Sequence, residues 1–220
     1  MNHTKERILD TAERLFAEQG YAATSLRSII AEAEVNLAAV HYHFHSKEAL
    51  LEAVILRRSV PANQERLILL DRCEQAAGDR PPSLEQVIEA FVAPTFRMAR
   101  NPASGGMVFM RLLGRLHAEG DLLSGILLSQ FRDVLERFGA ALRRALPDLP
   151  PRELFWRLNF AIGALGQALR GGSRDLGVIS DFSHANSELA LEELIAFLSA
   201  GFRAPLTHAI GQAHAVVEER

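Results

Sequence analysis

Cysteine is nearly absent from this chain: Cys73 stands alone among 220 residues. A single thiol excludes an internal disulfide and fits a reducing compartment. Only Arg72 beside it is cationic, which is too little to mark a redox sensor. Long apolar runs are missing too. No stretch approaches the ~18 residues that a membrane span needs, and none reads as a signal peptide. The expectation is a soluble, cytoplasmic protein. Nor is there an excess of positive charge. The net charge is −3, and residues 1–58 carry seven basic against eight acidic side chains. Charge alone does not point to a nucleic-acid partner. Strand periodicity, repeats and low-complexity tracts are also lacking. So are G-x-S-x-G, the Walker loop and G-x-G-x-x-G, and Cys73 has no adjacent His. These absences point away from an enzyme, and no cofactor is expected.

What is present is helical periodicity throughout a chain that is 48% hydrophobic. The most informative stretch is Gly20 to Glu52. Thr24 and Ser25 are capping residues ahead of Leu26, Ile29, Ile30 and Ala33, which share one helical face. A break follows at Ala33-Glu34-Val35. Asn36 caps a second short helix, Leu37 to about His43, which opens on the small side chains Ala38 and Ala39. Small residues there let a backbone approach base edges and offer methyl groups to thymine. Val40 and Phe44 suit an inward face, while His41, Tyr42 and His43 project polar tips. Ser46 caps a further helix with Lys47 at its first position, where a cation can meet a phosphate. Ahead of all this, residues 3–19 form a helix with Ile8, Ala12, Leu15 and Phe16 in one stripe, the charged residues mostly elsewhere, and Gly20 at its end.

This stretch resembles the TetR-type one-component transcriptional regulators. The matching residues include Ile8, Ala12, Leu15, Phe16, Gly20, Tyr21, Thr24, Ser25, Ile29, Ala33, Val35, Asn36, Val40, Tyr42, His43, Phe44, Ser46, Lys47 and Leu50. Two positions depart: Glu34 stands where the family usually has Gly, and His41 where Tyr is usual. The resemblance implies that Thr24, Arg27 and Lys47 hold phosphates and that the helix from Leu37 supplies base contacts. The candidate DNA-binding residues are therefore Thr24, Ser25, Arg27, Asn36, Leu37, Ala38, Ala39, His41, Tyr42, His43 and Lys47.

The remainder reads as a helical body. The helix from Lys47 carries Leu50, Leu51, Val54 and Ile55, and Pro61 ends or kinks it before Gln64 to Ala77 resumes. Ser83 caps the next helix, and Pro94 predicts a kink in it. Further helices are expected over 107–118, 122–146, 151–170 and about 185–203, with a loop over 171–184. The organisation expected is all-α. Residues 1–47 form a DNA-binding headpiece, with the helix-turn-helix at about 25–44. Residues 48–204 form a ligand-binding and dimerisation domain, and 205–220 a tail.

Helix 151–170 is apolar on two sides, so it is expected to lie between its own body and a partner subunit. With the last helix it makes a four-helix homodimer interface, for which Leu158, Ile162, Leu165, Leu191, Leu194, Ile195, Leu198 and Phe202 are the candidates. Phe91, Phe96, Met107, Met110, Leu113, Phe131, Trp156 and Phe160 are either plain core or the lining of an apolar pocket. Arg111, amid MVFMRLLG, is the candidate anchor for an anionic head, or else a surface ion pair. His41, His43 and His45 diverge on a helix, so no metal site is expected. FMRLLG (109–114), PPRELFWRLNF (150–160) and NLAAVHYHF resemble the fatty-acid-responsive PsrA-type branch. That resemblance implies a long-chain acyl effector, as free acid or CoA thioester.

The reading that results is a homodimeric repressor of double-stranded operator DNA, released by a hydrophobic effector. The alternatives are an activator of the same architecture, or a non-enzymatic helical acyl-binding or interaction module.

Overall fold

A computed structural model describes residues 2–100, 105–118, 121–169 and 187–206. Among them lie nine helices and no strand. They are α1 (Asn2–Gln19), α2 (Leu26–Glu32), α3 (Leu37–Phe44), α4 (Lys47–Ala77), α5 (Leu84–Arg100), α6 (Gly106–Ala118), α7 (Asp121–Ala145), α8 (Pro151–Leu169) and α9 (Ser187–Arg203). The all-α architecture expected from the periodicity is the one observed. The loop expected over 171–184, the tail from 207 and the side chains of 121–129 lie outside the described residues.

The headpiece is built from α1, α2 and α3 against the start of α4. Ile8, Ala12, Leu15 and Phe16 of α1 are buried with Ile29, Val40, Phe44, Leu50 and Leu51. Each of the larger side chains contributes on the order of 1.5–3 kcal/mol on burial, enough together to hold a small core that also leans on the body. Gly20 adopts φ +90°, and its N–H closes on the Phe16 carbonyl at 3.1 Å, ending α1.

α4 is the backbone of the molecule, 31 residues running unbroken through Pro61. Of the two outcomes expected at Pro61, an end or a kink, the end does not occur. The cost of about 3 kcal/mol for an interior proline is offset by packing on both sides of the helix, by α1 and by α5 and α7. α5 likewise runs through Pro94. α1 packs on α6 as well as on α4, so the headpiece meets the body at two places. On the far side α5 packs on α9, and α8 on α9. Arg157 of α8, itself buried, donates to the Phe202 carbonyl at 2.7 Å and so caps the end of α9.

Candidate functional site

The helix-turn-helix is fixed by local hydrogen bonds that the sequence spells out. Ser25 and Ser28 form a reciprocal capping box at the start of α2, with the Ser28 N–H donating to Ser25 Oγ at 3.0 Å. Asn36 Oδ1 accepts the Ala39 N–H at 2.8 Å and starts α3. Ser46 Oγ accepts from Ala49 N at 3.1 Å and starts α4.

Between α2 and α3 the chain turns through Glu34 at φ +51°, a left-handed conformation that favours glycine. Arg7 of α1 secures this turn: its Nη2 donates to the carbonyls of Ala33 at 2.6 Å and Glu34 at 2.7 Å. The sequence reading passed over Arg7. The signal was there in principle, because a helix end leaves carbonyls that need a donor.

α3 presents Leu37, Ala38, His41 and Tyr42 outward, with Tyr42 67% exposed, while Val40 and Phe44 are buried and Ala39 and His43 lie between. The outward face carries no acid. Arg27 is exposed on α2. Thr24 differs from expectation. It is 1% exposed, and its hydroxyl donates to the Gly20 carbonyl at 2.7 Å. Its side chain ties the α1 end to the α2 start, which leaves the implied phosphate contact without an accessible hydroxyl. Lys47 is half-buried with its ammonium 4.1 Å from the Tyr21 ring centre. Tyr21 donates to Glu48 Oε1 at 2.9 Å. Burial first, then that hydrogen bond and the Glu48 charge, push the Tyr21 phenol up to about 12.

The acidic side chains of the headpiece are largely engaged elsewhere. Glu13, read from the sequence as part of the polar side of α1, is 2% exposed and accepts from both Arg57 and Arg58 of α4. Asp10 pairs with Arg57 at 2.8 Å, and Arg14 pairs with Glu18 and Glu32. A chain with no basic excess thus leaves α3 free of negative charge.

In the body, the nine candidate effector residues do not converge. Phe96 and Met110 are buried, and Phe91, Leu113 and Phe131 are half-buried. Met107, Arg111, Trp156 and Phe160 are exposed. Arg111 is therefore placed as a surface residue, and the most deeply buried guanidinium among the described residues of the body is Arg66, 4% exposed, ahead of Arg157. An apolar crevice of only about 10 Å³ lies between α5, α7, α8 and α9, lined by Phe91, Phe138, Leu158 and Phe202 among others. A polar cleft of about 290 Å³ lies where α1, α4 and α6 meet, lined by Asp10, Glu13, Arg14, Arg58 and Gly105.

The candidate interface residues divide similarly. Leu165, Leu194, Leu198 and Phe202 are buried in the chain's own core, and Leu158, Leu191 and Ile195 pack against it. Ile162 is exposed. The large apolar side chains left outward on α8 and α9 among the described residues are Phe155, Trp156, Phe160, Ile162, Leu189 and Phe197. Trp156 and Phe160 stack at 6.0 Å, and Gly163, Gly166 and Gly201 have open space over their Cα atoms.

Two family models match the sequence. One, described as bacterial regulatory proteins of the tetR family, covers residues 8–54; the other, a tetracyclin repressor-like C-terminal domain, covers 89–201. The uncharacterized HTH-type transcriptional regulator YerO of Bacillus subtilis is 51% identical over 51 residues, 23% of this chain and 18% of that protein. The HTH-type transcriptional regulator UidR of Escherichia coli is 35% identical over 65 residues, 30% of this chain and 31% of that one. The chain therefore matches less than a third of the length of these relatives. Among solved structures, a tetR-family regulatory protein from Rhodococcus RHA1 superposes with a TM-score of 0.62 at 17% identity, covering 92% of this chain and 98% of that one. SmeT in its complex with triclosan gives 0.58 at 23% identity, covering 93% and 96%. At those identities the structures share the fold.

Proposed function

This chain belongs to the TetR family of bacterial regulatory proteins, and from that premise we propose that it is a homodimeric repressor that binds operator DNA and is released by a hydrophobic effector. The observation that carries the reading is the outward face of α3. It is acid-free, capped by Asn36, and braced from behind by Arg7 and the buried Val40 and Phe44. Such a helix can enter the major groove with Leu37, Ala38, His41 and Tyr42 toward the bases. Arg27 and Lys47 flank it for phosphates, and Ser25 and Asn36 hold the geometry. Two copies reading half-sites roughly 34 Å apart would bind a pseudo-palindrome.

In this reading residues 1–47 are the DNA-binding unit and 48–204 the responsive body. α4 begins at the boundary and continues through the body, so a shift of α4 moves the headpiece. An effector that prefers the arrangement with misplaced headpieces lowers DNA affinity, and DNA lowers effector affinity by the same factor. A hydrophobic effector suits the Phe-rich body, and a protein of the same fold, SmeT, has been solved with triclosan. The effector class we propose is a long-chain acyl compound.

The test is fluorescence anisotropy on DNA from upstream of the protein's own gene against scrambled DNA at fixed salt, with and without oleate or oleoyl-CoA. Specific binding released by either compound supports the whole reading. Specific binding that ignores both removes the acyl effector. Equal affinity for both DNAs would instead favour an acyl-binding or interaction module.

A further inference from the structure

The body contains one buried positive charge that no carboxylate of the described residues bonds. Arg66 projects from α4 between α5 and α7. Its Nε donates to the Phe91 carbonyl at 2.8 Å, its Nη1 to Asn63 Oδ1 at 2.6 Å and its Nη2 to Thr95 Oγ1. Asn63 is in turn held by donating to the Gln130 carbonyl at 3.0 Å. The guanidinium lies 5.3 Å from the Phe91 ring centre and 5.8 Å from that of Phe131. Its acceptors are thus a carbonyl, an amide and a hydroxyl, all neutral.

Two of these come from α5 on either side of Pro94, the Phe91 carbonyl before it and the Thr95 hydroxyl after it. A guanidinium has five N–H donors; three are used here, leaving one hydrogen on each terminal nitrogen. Buried charges are ordinarily paired, because neutral acceptors offset only part of the lost hydration. Burial pushes Arg66 down to about 10 against the pull of Glu65, so it stays charged at neutral pH. Glu65 itself is engaged by Arg97 at 2.8 Å.

We propose that Arg66 anchors the carboxylate of an amphiphilic monoanion, a free acid with an apolar tail, between α4, α5 and α7. This rests on the effector-responsive reading above and narrows it. A single negative charge neutralises a single buried positive one, whereas a phosphate dianion leaves excess charge in the core. An acyl-CoA offers only a neutral thioester at its acyl end. The tail has an adjoining route. Phe91 separates Arg66 from the apolar crevice, meeting Phe138 edge-on at 5.2 Å on the side where Leu142, Leu158 and Phe202 line the wall. For the tail to reach that crevice in the proposed complex, the half-buried Phe91 ring has to turn and the crevice has to open beyond its present volume of about 10 Å³.

The experiment is calorimetric titration of the full chain and of R66Q and R66K with monomeric oleate, oleyl alcohol and oleoyl-CoA, with operator release measured alongside. The wild type should bind oleate at least tenfold more tightly than oleyl alcohol. R66Q should lose that preference while its affinity for the alcohol and for oleoyl-CoA changes less than twofold, and R66K should keep part of it. On the wild type alone, carboxyl-¹³C oleate should remain ionised at about pH 4 when bound, because an adjacent guanidinium favours the carboxylate. That measurement stands even if R66Q does not fold. R66Q retaining the preference, or losing acid and alcohol equally, overturns the anchor. If oleate releases R66Q from operator at the same concentration as the wild type, the effector reading survives and the anchor falls. If oleate neither binds nor releases the wild type, both fall.

Discussion

Glu13 of α1 lies beneath Arg58 of α4, with Nη2 to Oε2 at 2.8 Å and Nε to Oε1 at 3.0 Å, and Arg57 reaches the same carboxylate. Gly105, which leads into α6, sits so close that a Cβ there would lie 2.7 Å from Arg58 Nη2. One carboxylate therefore joins the headpiece, the long helix and α6. E13Q keeps the shape and removes the charge, leaving two guanidinium groups without their shared acceptor. Breaking a buried pair from one side costs about 3 kcal/mol, which at this size lowers Tm by roughly 6–12 °C. Calorimetry measures it. A Tm within 2 °C of the wild type would show the cluster to be surface decoration.

Glu34 tests the turn. A non-glycine residue in the left-handed region costs on the order of 1 kcal/mol, and Glu34 holds φ +51°. Its contact with Arg7 goes through its backbone carbonyl, which glycine retains. E34G should therefore raise stability by roughly 0.5–1 kcal/mol, seen as a higher urea midpoint at unchanged slope. Part of that gain is offset by the greater freedom of glycine in the unfolded chain, so a lower midpoint would mean that the turn carries no strain.

Tyr21 gives a pH signature. Its phenol is pushed up to about 12 from 10.0, first by burial and then by Glu48. Raised above its unfolded value, it contributes stability that is fully present below about pH 10 and lost as the pH rises through 12. With Tyr42 replaced (Y42F), Tyr21 is the one remaining phenol of the chain's two, and phenolate absorbance reports it alone. The midpoint should stand near 12 and fall only part of the way toward 10 when Glu48→Gln is added, since burial remains. A midpoint near 10 in Y42F itself would mean that neither burial nor Glu48 acts on Tyr21.

Much of the frame could be read from residues whose role is local. Ser25, Asn36, Ser46 and Ser83 start helices because a side-chain oxygen next to unpaired N–H groups acts within a few residues. The break at Ala33-Glu34-Val35 was legible between two capped helices, and the glycine usual at position 34 in the family the chain resembles agrees with the left-handed conformation found there. What escaped depends on distant partners. Thr24 is buried because α1 ends against it, and Glu13 because two arginines some 45 residues later in the chain, on α4, reach it. Arg66 stood unnoticed beside the run Leu67 to Leu70, since its acceptors come from α5. Pro61 does not end α4, because packing on both sides of the helix, by elements distant in sequence, outweighs one missing hydrogen bond.

The two faces of α8 show the same limit and allow a decision. Helical period assigns Leu158, Leu165 and Ile162 to one stripe and Trp156 and Phe160 to another, but both are apolar, so pattern alone cannot say which turns inward. The fold buries Leu165 and Leu198 and leaves Phe160 and Phe197 at 66% and 69% exposure. An exposed aromatic face of that kind is where the proposed dimer contact is to be tested. F160E should leave helicity and Tm nearly unchanged, since the side chain touches little of its own core, yet convert a dimer to a monomer in analytical ultracentrifugation. Operator affinity should then drop steeply, because two half-sites are no longer held by one particle. L198A should do the reverse: a loss of about 2–5 kcal/mol in stability with the dimer kept wherever the protein is folded. A wild-type monomer, or an F160E dimer as tight as the wild type, would move the interface off this face.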